Sequence, residues 1–200
     1  MAIPQDPAPS PWMVVDVETS GTNPDTCRVI SVAALAVTDT GTITDSVVTM
    51  LDPGVEPGPT HIHGITREML HGQPHFSDIA PRIANLAHGR TFVAHNAGFD
   101  YSFLAAEARR AGLRLPIDTA MCTVELANRL DLGLSSHKLS ALAKHWHIPQ
   151  NRPHDAFDDA LVLTRVLTKQ LATARHKRIV LPIQAPDTLP PPIFTLQPAA

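Results

Sequence analysis

The stretch Trp12-Met-Val-Val-Asp-Val-Glu-Thr19 restricts what this chain can become more than any other part of it. It reads as a strand, in which Met13, Val15 and Val17 alternate with Val14, Asp16 and Glu18. Residues i and i+2 of a strand point to one face, so the two carboxylates project together. Carboxylates buried without compensation are costly, and this pair asks for positive charge beside its oxygens. Two further acids stand in suggestive contexts: Asp100 in His95-Asn-Ala-Gly-Phe-Asp100, and Asp159 in His154-Asp-Ala-Phe-Asp-Asp-Ala160. Hard divalent cations take oxygen ligands, so four such carboxylates are the parts of a metal cage. His154, five residues ahead of Asp159, adds a group that titrates near neutrality.

The remaining pattern predicts an α/β fold. Residues 28–38 are a nearly continuous apolar run, expected for a strand covered on both faces. Asp39-Thr-Gly-Thr42 is a turn signal, residues 43–51 are the return strand, and the Pro- and Gly-rich residues 52–59 are a loop. Phe76, Ile79, Ala80, Ile83 and Leu86 recur at helical spacing, with Ser77 or Asp78 as the expected cap and Pro81 near the first turn. A short strand over 91–94 runs into a helix over 100–111 that Gly112 stops. Residues 122–130 read as helical, Ser136 as the cap of a helix through Trp146, and 155 to about 177 as the longest helix. On that helix Asp159 shares a stripe with Leu163 and Val166 and faces inward. Asp158, about 100° away, faces solvent. Three strands followed by helices and short strands give a central mixed β-sheet flanked by helices.

Two hundred residues suit one domain with margins. The first eleven, four of them proline, read as a disordered lead-in, and residues 12–178 as the domain. Residues 179–200 read as a Pro-rich tail, either solvated and extended or packed as a strand through Ile193, Phe194 and Leu196. Two cysteines make no disulfide framework, no secretory leader opens the sequence, and no apolar run of about 18 residues occurs. The expectation is a reduced, cytoplasmic protein with no membrane span. A net charge of −3 argues against a broad basic footprint for polyanions, yet two divalent cations would bring it to about +1. A small, local contact with nucleic acid remains compatible with that balance.

Asp16-Val-Glu-Thr-Ser-Gly21, His95-Asn-Ala-Gly-Phe-Asp100 and His154-Asp-Ala-Phe-Asp-Asp159, in that order, resemble the three motifs of the DnaQ-like, or DEDDh, 3′–5′ exonucleases. Ile62-His-Gly-Ile-Thr66, Pro116-Ile-Asp-Thr119 and Lys138-Leu-Ser-Ala-Leu-Ala143 add to a likeness that extends over residues 12–171. The resemblance implies an RNase H-like fold. It implies that Asp16, Glu18, Asp100 and Asp159 hold two Mg²⁺ or Mn²⁺ ions about 3.5–4 Å apart, with Asp16 touching both. His154 would take a proton from the attacking water, and the product would be a nucleoside 5′-monophosphate. Thr19, Ser20 and Gly21 would present backbone groups to the terminal 3′-hydroxyl. Ile62, His63 and Phe99 would pack around the terminal base or sugar, and Asn96 would fix the loop or touch the nucleic-acid backbone. The single tyrosine, Tyr101, follows the second motif, which puts the chain in the histidine branch rather than the tyrosine branch.

The implied substrate is a DNA 3′ end, single-stranded or frayed. Two alternatives stand beside it: an RNA-directed enzyme of the oligoribonuclease or RNase T kind, and a non-catalytic module. A DNA polymerase or repair protein could engage the C-terminal tail in either an enzyme or a module. His61, His63, His71 and His75 lack acidic or cysteine partners at zinc-ligand spacing and read as surface or cleft residues, while His95 reads as a loop anchor.

Overall fold

The alternating first strand forms as expected and lies inside the sheet, paired on both sides. The computed structural model describes residues 10–192, and six strands form one mixed sheet. They are β1 (Trp12–Thr19), β2 (Val29–Val37), β3 (Ile43–Met50), β4 (Thr91–Ala94), β5 (Ala120–Cys122) and β6 (Ile183–Gln184), in the order β3-β2-β1-β4-β5-β6. β1 pairs antiparallel with β2 and parallel with β4; β2–β3 and β5–β6 are antiparallel, and β4–β5 is parallel. Seven α-helices are described: α1 (Thr60–His63), α2 (Arg67–Leu70), α3 (Phe76–Ala87), α4 (Ala97–Arg110), α5 (Thr123–Leu130), α6 (Leu139–His145) and α7 (Ala156–Lys177).

The alternation along β1 decides which layer covers which face. Met13, Val15 and Val17 join Phe76, Ile83, Phe92, Phe103 and Leu104 in the core beneath α3 and α4. Trp12 and Val14 face the other way, into a core with Leu126, Leu163 and Leu167 from α5 and α7. Each fully buried leucine there contributes roughly 1.5–3 kcal/mol. Asp16 and Glu18 continue the Trp12–Val14 row, so they emerge on the α7 side just where the apolar stripe ends. β4 runs parallel to β1, and α4 starts three residues after it, bringing Asp100 to the same end of the sheet.

Several boundaries differ from the sequence expectation, each for a local reason. α4 begins at Ala97 rather than near Asp100, because Asn96 adopts a left-handed conformation (φ 67°) and turns the chain early. α3 starts after His75, and Asp78 is not its cap; its carboxylate reaches back to the His75 N–H (2.8 Å) from the third helical position. Ser136 does not cap α6, which starts at Leu139; its hydroxyl accepts from the Lys138 N–H within the preceding turn (3.3 Å). β5, only three residues long, and the single-turn helices α1 and α2 carried no periodicity to read.

The ends of the domain are also tied down further than expected. Ser10 hydrogen-bonds Thr44 (2.7 Å) and the Pro11 carbonyl accepts from Thr91 (2.9 Å), so the lead-in is anchored at these two residues; residues 1–9 lie outside those described. Beyond residue 178 the chain does not run off as an extended solvated tail over the described residues. Ile183–Gln184 adds β6 to the sheet edge, Ile179 and Leu181 pack against the α7-side core, and Leu189 packs against the core beneath α4. β5 offered an unpaired edge, and pairing satisfies its backbone groups. Ile193, Phe194 and Leu196 lie outside the described residues.

Candidate active site

Asp16 and Glu18 are half-buried on β1, while Asp100 and Asp159 are buried, 4% and 9% exposed. The β1–β2 register slips between Glu18, opposite Ser31, and Thr19, opposite Val29, an irregularity of the kind that increases local twist beside the two carboxylates. Asp100 accepts the Val17 N–H (3.2 Å), which ties the first turn of α4 to β1 between the two strand acids. Asp159 lies in the first turn of α7 and faces inward, as its stripe with Leu163 predicts. Its Oδ1 accepts from the Gln150 side chain (2.6 Å) and its Oδ2 from the His154 N–H (2.9 Å). Glu18, His154 and Asp159 each place one potential ligand atom within 4.8 Å of the other two.

The electrostatics bind Asp16 and Asp100 into the same cluster. Burial pushes the Asp16 carboxyl well above its ordinary range, and the charges of Asp100, Glu18, Asp159 and Asp155 push it the same way. Glu18 is pushed up to about 8 by burial, then by Asp159, Asp100 and Asp155. Asp100 also rises to about 8, through burial that outweighs its backbone hydrogen bonds. Asp159 rises through burial, against the lowering pull of Gln150 and of the His154 backbone and ring. Among the described residues, no lysine or arginine is one of the charges acting on any of the four. The donor set is oxygen, its charge is uncompensated, and bound divalent cations would supply what the protein does not. The residues present therefore fit the metal that the motifs imply.

His154 is exposed, in a turn before α7, and holds a left-handed conformation (φ 65°), uncommon for a side chain of its size. His63, half-buried on α1, lies near it: burial lowers the His63 pKa, and the His154 and His61 imidazoles add to that. His63 Nδ1 accepts the Ile65 N–H (3.0 Å), while Nε2 is buried beside the Pro57 carbonyl without hydrogen-bond geometry. Ile62 is half-buried on the same helix, and Phe99 is half-buried with its ring against Phe103 (centroids 4.9 Å). Among the described residues no cluster of three potential ligands includes His61, His71 or His75. His95 is an anchor: Nδ1 bonds the Thr123 hydroxyl (2.9 Å), and burial lowers its pKa to about 4.

The turn at Thr19-Ser-Gly21 uses its side chains internally. Thr19 Oγ1 donates to the Gly21 carbonyl (2.6 Å), Ser20 Oγ accepts the Arg28 N–H (2.9 Å) and the Ser20 N–H donates to the Arg28 carbonyl (2.9 Å). Gly58 (φ 79°) presses on this turn so closely that an added Cβ would sit 2.1 Å from the Ser20 carbonyl oxygen. Supports of this kind escaped the sequence reading. Glu107, 1% exposed on α4, grips Arg28 at two points (2.7 and 2.9 Å) and also takes Arg110 (3.2 Å). Arg110 in turn donates to the Pro24 and Asp25 carbonyls (2.5 and 3.1 Å), so one buried carboxylate braces the loop after β1 through two arginines. Asp158 stays partly exposed, as its helical angle predicts, but it is more than a solvated charge: its Oδ2 accepts the Asn151 and Arg152 N–H groups (3.0 and 2.9 Å).

Comparison with known proteins is consistent with this geometry. The profile of the exonuclease family RNase_T matches residues 13–167. Among curated relatives, the 3′-5′ exonuclease DinG of Bacillus subtilis (strain 168) is 30% identical over 168 residues, which is 82% of this chain and 18% of DinG. A PolC-type DNA polymerase III of Clostridium perfringens (strain 13 / Type A) is 34% identical over 158 residues, 78% of this chain and 11% of that protein. The chain thus spans less than a fifth of either relative. Among solved structures, E. coli exonuclease I in complex with a dT13 oligonucleotide superposes with a TM-score of 0.71 at 20% identity, covering 84% of this chain and 42% of that one. The nuclease domain of 3′hExo, a DEDDh family member bound to rAMP, gives 0.71 at 15% identity, covering 86% and 95%.

Proposed function

The chain belongs to the exonuclease family RNase_T, and on that premise we propose that it is a divalent-cation-dependent 3′–5′ exonuclease removing nucleoside 5′-monophosphates from DNA 3′ ends. The observation that carries this is the convergence of four acids from β1, α4 and α7, on which no lysine or arginine acts among the described residues and against which only the His154 ring pulls, at Asp159. Asp16, Glu18, Asp100 and Asp159 would hold two Mg²⁺ or Mn²⁺ ions, which when bound supply a nucleophilic water and charge stabilisation at the phosphoryl group. A ring nitrogen of His154 accepts the proton of the attacking water, and the exposure of its turn lets the ring approach and withdraw. Backbone groups of Thr19, Ser20 and Gly21 receive the terminal 3′-hydroxyl, held there by Arg28 and Gly58. Ile62, His63 and Phe99 pack on the last base or sugar, and Asn96 sets the turn into α4.

DNA as substrate is supported by the name of one relative, a DNA polymerase, and by the dT13 oligonucleotide bound to a structural neighbour. RNA is the second reading, favoured by the rAMP bound to one structural neighbour. A purely non-catalytic module has no use for a complete set of acids with His154. A polymerase or repair partner reading the C-terminal segment would meet β6 already paired with β5, so it would have to displace that strand or use another surface. Cytoplasmic residence, where Cys27 and Cys122 stay reduced, suits the proposal. The test is to give 3′-tailed DNA and RNA oligonucleotides to the protein with Mg²⁺ or Mn²⁺ and follow monophosphate release. Metal-dependent release, faster from DNA and abolished by Asp16→Ala, is expected. Faster RNA trimming would overturn the DNA assignment, and no release from either would overturn the activity.

A further inference from the structure

We propose that Asp158 is a positioning residue for His154, its carboxylate clamping the turn that presents the imidazole to the acidic cleft. The inference rests on the proposed role of His154 as proton acceptor. Asp158 occupies the third position of α7, from which an acid ordinarily reaches back to the N–H of the capping residue. Here it passes that group over. The Asp155 N–H goes to the Arg152 carbonyl (3.2 Å), Asp155 Oδ1 caps the helix by accepting the Asp158 N–H (3.0 Å), and Asp158 Oδ2 goes further out to the Asn151 and Arg152 N–H groups (3.0 and 2.9 Å). The Arg152 guanidinium closes the same turn onto Asp155 (3.3 Å).

This clamp has a strained residue to hold. His154 sits at φ 65°, and a non-glycine residue stays there only when its surroundings over-determine it. Its own N–H is held by Asp159 (2.9 Å), a carboxylate with a second task as a proposed cation ligand. Asp158 has no such task, which leaves it free to fix the turn two and three residues before His154. Both of its turn bonds end on a single oxygen, so geometry rather than charge is what the turn requires.

The experiment measures kcat and KM on a 3′-labelled oligonucleotide for Asp158→Ala, Asp158→Asn and Asp158→Glu, with hydrogen exchange followed at the amides of residues 151–154. Asp158→Ala is expected to lower kcat by up to about a hundredfold with little change in KM, and to speed exchange at Asn151 and Arg152. Asp158→Asn, whose amide oxygen can take both N–H groups, should keep kcat within about threefold, whereas Asp158→Glu keeps the charge, displaces the oxygen and should lose rate. This second contrast stands even if the alanine variant folds poorly. In a His154→Ala background, Asp158→Ala should add no further loss. Unchanged kcat in Asp158→Ala, or an asparagine variant as damaged as alanine, would overturn the clamp while leaving the exonuclease reading intact. A His154→Ala protein with full activity would overturn the base assignment itself, and the clamp's catalytic role with it.

Discussion

Glu107→Ala should unfold the protein more easily and loosen its grip on a 3′ end. Glu107 is 1% exposed, while Arg28 and Arg110 are 26% and 27% exposed, so deleting the acid leaves two guanidinium groups that water reaches only in part. Removing one partner of a buried pair costs about 3–5 kcal/mol, and the partial exposure of both arginines favours the low end, about 3 kcal/mol. For a domain of this size each kcal/mol lowers Tm by roughly 2–4 °C, which gives a fall of about 6–12 °C. Glu107→Gln keeps an acceptor oxygen and should fall by less than half as much. The lost anchor also frees the loop between Ser20 and Arg28, joined at its base by the Ser20 N–H to the Arg28 carbonyl (2.9 Å). KM for an oligonucleotide should rise about tenfold, equivalent to ~1.4 kcal/mol, with kcat less affected. Thermal unfolding and steady-state kinetics on the same preparations test both parts. A Tm change under about 2 °C would refute the reasoning, because a pair this buried would then contribute no more than a surface ion pair.

Gly58→Ala combines a left-handed backbone with a Cβ 2.1 Å from the Ser20 carbonyl oxygen, and should lower Tm by roughly 5–10 °C and raise KM. Gly54→Ala, with similar φ (71°) and nothing within 4 Å, should cost only about 1 kcal/mol, separating clash from strain in parallel melts. In chelator, stability should decline as pH rises. Glu18 and Asp100, pushed up to about 8, keep protons that the unfolded chain gives up near about pH 4, so their contribution is whole below that pH and gone above about 8. Calorimetric Tm should therefore fall across this window, and Mn²⁺ should cancel the fall. His154→Ala should lower kcat by about 10²–10⁴-fold while Mn²⁺ still binds. Asp100→Asn keeps an acceptor for the Val17 N–H but should lose both binding and turnover, as titration and rate measurements on the two variants will show.

Side-chain alternation in β1 made Asp16 and Glu18 readable from sequence and the helical stripe separated Asp159 from Asp158, because both periods are properties of a single element; Asp100 was legible only through the motif around it. The same local logic found β2 and α7 almost to the residue. It failed where the third dimension brings distant residues together. Glu107 and Arg28 are 79 residues apart, and nothing around either announces a buried pair. Asp158 faces away from the core stripe as its helical angle requires, but that angle does not show that the preceding turn folds back over it. β6 exists because β5 offers an edge to pair, a property of the assembled sheet and not of Ile183 or Gln184. The prolines around it argued for an extended chain, and an extended chain is what an edge strand needs.

Titrating Mn²⁺ calorimetrically into chelator-stripped protein near pH 7, in two buffers of different ionisation enthalpy, tests most directly whether the four acids form one cation site. Saturable binding should release protons, because Glu18 and Asp100 with pKa near about 8 must lose them to become ligands, and Asp16→Asn should abolish the signal. Heats that are identical in both buffers, or no saturable binding at all, would contradict the account.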